Sequence, residues 1–171
     1  KPGKNQCRAI VDARRANRRF CAPPAVELCS SESFARWEVV GAGGEDLRED
    51  LRLTVGLCDI KDAFHRFRIR LDLAVYFGLG RATRRELGLA RSDDEVDLVW
   101  ASLPMVFSWS LFFCQRCGES VVGGAPGFAR GLRLRDHGPP AVFDTASGYS
   151  SAYYVDVDNV GIAATSRPAV D

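Results

Sequence analysis

Apolar residues in this chain gather in short blocks, set apart by charged or glycine-rich stretches, and their spacing changes from block to block. Residues 8–13 (Arg-Ala-Ile-Val-Asp-Ala) predict a short strand with charges at its ends, and residues 14–19 a basic turn or short helix stopped by Ala22-Pro23-Pro24. Residues 26–37 predict a helix, weakened by the serines from Ser30 to Ser33, and Gly41-Ala42-Gly43-Gly44 a loop. Residues 52–60 read as an apolar strand ending at Asp59. Across 63–71, Phe64, Arg66, Arg68 and Arg70 alternate with His65, Phe67, Ile69 and Leu71, which predicts a strand with one wet face, paired with the apolar run 73–79. Residues 91–97 predict an acidic turn.

After Pro104, residues 108–122 carry Leu111, Phe112, Gln115 and Glu119 at helical spacings, with Ser108 as a plausible N-cap. Residues 123–138 are glycine-rich and basic and predict a long loop. Residues 151–165 are two short apolar runs around Asp-Val-Asp-Asn, a hairpin signal. The expected class is α+β, an antiparallel sheet backed by helices.

Composition narrows this only a little. Hydrophobic residues at 46% and charged residues at 26% suit a globular chain rather than a disordered one. No apolar run approaches the roughly 20 residues of a membrane-spanning helix, so no membrane is expected. The six cysteines lack disulfide-framework spacing, and Cys114-x-x-Cys117 has no second pair or nearby His to complete a zinc site. Reduced thiols inside the cell, in cytoplasm or nucleus, fit better. The start at Lys1 suggests an excerpt of something longer. The net charge of +1 names no partner, but its distribution does more. Lys1, Lys4, Arg8, Arg14, Arg15, Arg18 and Arg19 face a single acid, Asp12, in the first 19 residues, and such a basic head can hold phosphates or be a plain solvated face.

The candidate chemistry lies in carboxylates at strand ends. Asp59 closes Leu-Thr-Val-Gly-Leu-Cys-Asp, and Asp156 and Asp158 sit at the tip of Ala-Tyr-Tyr-Val-Asp-Val-Asp-Asn-Val. Phosphoryl transfer asks for this kind of placement: carboxylates, apart in sequence and adjacent in the fold, that hold divalent metals against the attacking and leaving oxygens. Two ordinary turn aspartates would leave the same trace.

Four strings shift that balance. CDIKDAFHRFRI resembles the first palm motif of reverse transcriptases, LPMVFSWSLFFCQ the second, YYVDVDN the third, and the opening KPGKNQCRAIVDARRAN the fingers segment before them. They occur in family order across residues 1–165. The resemblance implies a retroelement reverse transcriptase (RNA-directed DNA polymerase), with partial fingers at 1–50 and a palm at 51–171, its motifs at 57–69, 103–115 and 153–160; thumb and ribonuclease H regions are not seen. It implies two Mg²⁺ ions, with Mn²⁺ as a substitute, held by Asp59, the Ile60 carbonyl, Asp156 and Asp158. It further implies Arg8 and Lys4 on the incoming triphosphate, and Phe64 as an aromatic gate against the 2′-hydroxyl. Met105 and Gln115 would line the nucleotide and template pocket, with Gln115 facing the groove. Partners would be an RNA or DNA template with primer, and dNTP.

Two departures stand against the pattern. Val106 replaces a glycine, and valine is stiff where glycine permits close approach or unusual dihedrals. The third motif reads either from Tyr154 as Tyr-Val-Asp-Val or from Asp156 as Asp-Val-Asp-Asn; the first keeps the aromatic neighbour and favours Asp156, the second makes Asp158 the ligand and Asn159 the weaker acidic position. The alternative expectation is therefore an inactive retroelement relic that at most binds nucleic acid. An RNA-templated RNA polymerase shares the palm, but Phe64 argues against it.

Overall fold

The computed structural model describes residues 9–40, 52–126, 128, 131–144 and 149–166. In chain order these form α1 (Arg14–Asn17), α2 (Ser31–Ala35), β1 (Glu38–Val40), β2 (Arg52–Asp59), α3 (Leu71–Ala74), β3 (Gly78–Thr83), β4 (Glu95–Val99), α4 (Ser110–Gly123), β5 (Leu132–Arg133), β6 (Val142–Asp144), β7 (Tyr149–Asp156) and β8 (Asn159–Ser166). The chain is α+β, as expected. It divides into two compact units interleaved in sequence: Lys1–Pro24 with Asp62–Phe112, and Ala25–Lys61 with Phe113–Asp171.

In the first unit, Ala13, Ala16, Phe77, Leu103 and Phe107 form the core, with Phe64, Phe67 and Ile69 packed against it. The run 63–71, expected as a strand, is instead a 3₁₀ turn (Ala63–Arg66), a single bridge from Arg68 to Ser102, and the start of α3. Its alternation reflects an extended segment that pairs only briefly, the Ile69 N–H donating to the Ala101 carbonyl (3.1 Å) and the Leu103 N–H to the Phe67 carbonyl (3.0 Å); Asp62, at φ 55°, starts the 3₁₀ turn, and tertiary packing overrides the pattern. The run 73–79 does not pair with it: Val75–Phe77 is a second 3₁₀ turn leading into β3. The expected acidic turn lies partly inside β4, which pairs antiparallel with β3 and sets Glu95 and Asp97 against Arg81. Residues 9–13 take no regular structure where a strand is expected.

The second unit is built on a four-stranded sheet in the order β2-β8-β7-β5. The β7–β8 hairpin is as the sequence predicts, from two apolar runs and a two-residue turn at Val157 and Asp158. Strand alternation divides the sheet into two faces. One face carries Tyr153 and Val155 and receives α4, whose Gly118 comes so close that an added Cβ would stand 2.9 Å from Val155 Cγ1. The other carries Ala152, Tyr154, Gly161 and Ala163, covered by Cys29, Trp37, Ala141 and Phe143. The Tyr154 ring lies over Gly161, leaving no room for a side chain there, and meets Phe34 edge-on at 5.4 Å. β1 and β6 pair parallel beside this core.

Of the expected helix 26–37, only Ser31–Ala35 is helical. The Ser30 hydroxyl accepts from Glu32 N–H, and Asp136 ties down this end. Asp136 Oδ1 accepts from Ser30 N–H (2.9 Å), Ser30 Oγ (2.8 Å) and Ser33 Oγ (2.7 Å). These donors favour the charged carboxylate and hold its pKa below the ordinary value, the backbone N–H of Ser30 contributing most. A depressed folded pKa gives stability that is fully present above the ordinary carboxylate pKa of about 3.9 and is lost as pH falls through the folded value. Thermal melts taken from about pH 6 to about pH 3 are expected to show Asp136→Asn losing less stability on acidification than the parent; parallel curves would remove Asp136 from this role.

Candidate functional site

β2 and the β7–β8 hairpin bring the three sequence-expected aspartates to one end of the sheet. Asp59 ends β2 directly opposite Asn159, and Asn159 is also directly opposite Asp156 across the hairpin. Residues so paired point to the same face, the one that α4 leaves uncovered. Asp59 and Asp156 are thus two strand spacings apart, about 10 Å between backbones. Asp158 is closer to Asp59: the Ile60 N–H donates to the Asp158 carbonyl (2.7 Å), which sets Asp158 one strand away and diagonal to Asp59. The second reading of the third motif fits this turn, with Asp158 at the tip beside Asp59 and Asn159 in the returning strand.

The three carboxylates differ in environment. Asp59 is exposed, and its carboxylate takes no hydrogen bond or ion pair from the described residues. Asp158 Oδ1 accepts from Asn159 Nδ2 at 3.1 Å. Asp156 is partly buried, and its pKa is raised, first by burial and then by the charges of Asp158 and Asp136.

The turn itself is held from α4. Cys114, Gln115, Gly118 and Glu119 occupy neighbouring positions on the helix face that meets β7. Gln115 is fully buried; its Nε2 donates to the Val155 carbonyl (2.7 Å) and to Glu119 Oε1 (2.9 Å), and its Oε1 accepts from Val157 N–H (2.8 Å). The expectation that Gln115 faces a groove is therefore corrected: all its polar atoms are spent on the hairpin and on Glu119. Glu119 in turn accepts from Arg133 on β5 and Arg116 on α4. The Cys114 thiol lies 3.6 Å from the Val157 carbonyl, and burial, then the nearby charge of Asp158, push its pKa up to about 11. Cys114 and Cys117 are free thiols, one buried and one exposed.

Val157 adopts φ 57°, and Asp158 does not share the positive φ, so the turn has the II′ pattern in which glycine is the usual first central residue. Holding a β-branched residue there costs on the order of 1–3 kcal/mol. Val157→Gly is expected to stabilise the hairpin by about 1 kcal/mol, because the strain relieved exceeds the 0.5–1 kcal/mol entropic penalty of glycine. A thermal melt checks it; a lowered Tm would show that valine is at ease in this turn. Val106, the other departure, has no positive φ. It is exposed, and its carbonyl accepts from Asn17 Nδ2 (3.1 Å) while Asn17 Oδ1 accepts from Ser108 N–H (2.9 Å). Any L-residue fits that backbone, so the strained valine is Val157.

Phe64 and Met105 belong to the first unit, Phe64 packed on its core and Met105 exposed, while Asp59, Ile60, Asp156, Asp158 and Gln115 belong to the second. Lys4 and Arg8 lie outside the described residues. Ser108 starts the turn before α4; the hydroxyl that closes it is Ser110, donating to the Pro104 carbonyl at 2.6 Å.

Magnesium needs only one or two carboxylates when phosphates and water complete its shell. Among the described residues no three His, Cys, Asp or Glu side chains gather closely enough to hold a metal ion. Asp59 and Asp158 nonetheless suit it in kind: hard oxygen donors at neighbouring backbone positions, with the Asp59 carboxylate taking no ion pair from the described residues. No family model, curated protein or solved structure matches this chain. Among the described residues no helix is long and apolar enough to cross a membrane.

Proposed function

We propose that the chain is the fingers-and-palm part of an RNA-directed DNA polymerase of the reverse transcriptase type, with Asp59 and Asp158 as its metal-holding carboxylates. The observation that carries this reading is the convergence of two of the sequence motifs. The first-motif strand and the third-motif hairpin are neighbours in one sheet, and Asp59 and Asp158 end up beside each other at the same end.

In this reading the primer 3′-hydroxyl attacks the α-phosphate of a dNTP, the new phosphodiester forms, and pyrophosphate leaves. Bound magnesium supplies charge neutralisation and activation of the attacking hydroxyl. The chain's own part is positional. Asp59 and Asp158, with the Ile60 carbonyl, hold the metals; Gln115 fixes the turn that carries Asp158. The resemblance would add Phe64 and Met105 on the nucleotide and Lys4 and Arg8 on its phosphates. Asp156, with its raised pKa and its distance from Asp59, is the third carboxylate of the cluster rather than a primary ligand.

The test is primer extension on an RNA template with magnesium, dNTPs or rNTPs supplied separately. Extension with dNTPs is the expected result. Phe64→Ala is expected to narrow the preference for dNTP over rNTP by about tenfold or more, the scale on which a filled pocket discriminates a small group; an unchanged ratio would take Phe64 out of the sugar-selecting role.

The second reading is an inactive relic that at most binds nucleic acid. Asn159 in place of an acid, and the lack of a three-donor cluster among the described residues, favour it. Nucleic-acid binding without any extension, under conditions where the hairpin is folded, would select it.

A further inference from the structure

The four-stranded sheet of the second unit has two edges, and they are unlike. One is β5, two residues long, with Arg133 held by Glu119. The other is β2, eight residues long and paired to β8 without a bulge. A free edge templates pairing with another chain, and proteins blunt it with lysine, proline, bulges or shortness. β2 has none of these: from Leu53 to Cys58 it reads Leu-Thr-Val-Gly-Leu-Cys.

Which backbone groups of β2 lie free follows from the hairpin. Its two-residue turn makes Asp156 and Asn159 a hydrogen-bonded pair, and such pairs recur at every second residue. Asn159, Gly161 and Ala163 therefore bond to β7, and Val160, Ile162 and Ala164 bond to Cys58, Gly56 and Thr54 of β2. The Ile60 bond to the Asp158 carbonyl continues the same alternation. The N–H and C=O groups of Leu53, Val55 and Leu57 then point away from β8, and none meets a partner among the described residues. The side chains of these three residues share a face with Ala163 and Tyr154. Cys29, Trp37 and Phe143 cover that face over β7 and β8, but the cover stops short of β2. Leu53, Val55 and Leu57 are 46%, 55% and 74% exposed.

Leu-x-Val-x-Leu reads the same in either direction. In an antiparallel pair directly opposite residues share a face, so a twofold pair must set some residue opposite its own copy. With the axis at Val55, Val55 meets Val55 and Leu53 meets Leu57 of the other copy. The three free N–H groups of each copy then donate to the three free carbonyls of the other. An axis at Thr54 sets Leu57 against residue 51, beyond the strand, and one at Gly56 sets Leu53 against Asp59. Both the backbone alternation and the side-chain row thus select Val55.

We propose that the chain pairs with a second copy of itself through β2, edge to edge and antiparallel about Val55, joining the two sheets into one. The contact uses the same patch on both copies, so it closes as a dimer and does not grow. Asp59 lies beyond the paired residues, and the inference stands whether or not the chain polymerises.

One strand pair and one apolar row make a small interface, so a weak, concentration-dependent dimer is expected. Sedimentation velocity of the whole chain under reducing conditions, from micromolar to millimolar, should show the mass pass from one chain to two. Val55→Lys and Val55→Glu each put like charges face to face on the axis, and each alone is expected to weaken dimerisation about a hundredfold or more. Mixed in equal amounts, the two variants are expected to form a heterodimer that weakens as salt is raised. Misfolding cannot imitate that rescue, which requires residue 55 to meet its own copy. Amide exchange of the unaltered chain gives a second measurement. Leu53, Val55 and Leu57 should gain protection with concentration while Thr54, Gly56 and Cys58, bonded to β8, stay constant. The mass of one chain at every concentration would overturn the proposal, as would growth beyond two copies. Full-strength dimers from both charged variants, or a mixture that stays monomeric, would overturn it as well. Protection of Leu53, Val55 and Leu57 already present in the dilute monomer would assign the edge to a segment of the same chain and overturn it too.

Discussion

Asp59→Ala is expected to abolish primer extension, by about a thousandfold or more, while leaving the melting temperature of the protein unchanged. The two halves of that expectation come from different observations. Metal ligands stabilise several kcal/mol of developing charge in phosphoryl transfer, and each 1.36 kcal/mol is a factor of ten in rate. The Asp59 side chain meanwhile contributes nothing visible to the fold: it is exposed, ends an edge strand, and its carboxylate accepts no hydrogen bond from the described residues. Its backbone continues into the Ile60 bond to the turn, which alanine preserves. A carboxylate kept at a strand end with no structural partner is the kind of group whose removal separates activity from stability.

Asp156→Asn gives the contrast. Its folded pKa is raised, so the ionised form is disfavoured there and the neutral amide should cost the fold nothing above the carboxylate range. If Asp156 were the primary ligand, Asp156→Asn would match the loss from Asp59→Ala; the adjacency of Asp158 predicts a smaller loss. Retained extension in Asp59→Ala would end the polymerase reading altogether.

How far the sequence disclosed the fold depended on whether each signal was local. The β7–β8 hairpin was legible because its cause is local: two apolar runs and a polar turn within 18 residues. α4 was legible for the same reason, from periodicity over a long stretch. The segment 63–71 misled because alternation records which side chains are buried and not whether the backbone finds a partner; here Phe64, Phe67 and Ile69 reach the core from a 3₁₀ turn and a lone bridge.

The site was legible in its residue types and not in its geometry. Motif order identified Asp59, Asp156 and Asp158, but their text left the register open, and only strand pairing separates a diagonal neighbour from one two strands away. Gln115 carried no sign of its burial, because its partners are backbone groups 40 and 42 residues on. The same holds for Asn17, whose two amide atoms bracket residues 106 and 108.

Gln115→Leu is expected to destabilise the second unit strongly. Leucine fills a comparable space but offers neither donor nor acceptor. The Val157 N–H and Val155 carbonyl would lose their partner together, and Glu119 would lose one of its donors. Each buried polar group left unsatisfied costs roughly 1–3 kcal/mol, so the sum is about 3–5 kcal/mol, a large part of the 5–15 kcal/mol typical of a folded domain. At about 2–4 °C per kcal/mol for a chain of this size, Tm should fall by about 10 °C. The turn at Val157 is already strained, so it lacks reserve to absorb the loss. Amide hydrogen exchange distinguishes this from general loosening: the Val157 amide should lose protection before the centre of the β7–β8 ladder does. Gln115→Glu sharpens the assignment. Its carboxylate can still accept from Val157 N–H, yet it cannot donate to Val155 and it faces Glu119, so its Tm should fall with rising pH as the introduced, buried carboxyl ionises. A pH-independent Tm in Gln115→Glu, or an unchanged Val157 exchange rate in Gln115→Leu, would show that the hairpin tip holds its shape without the helix behind it.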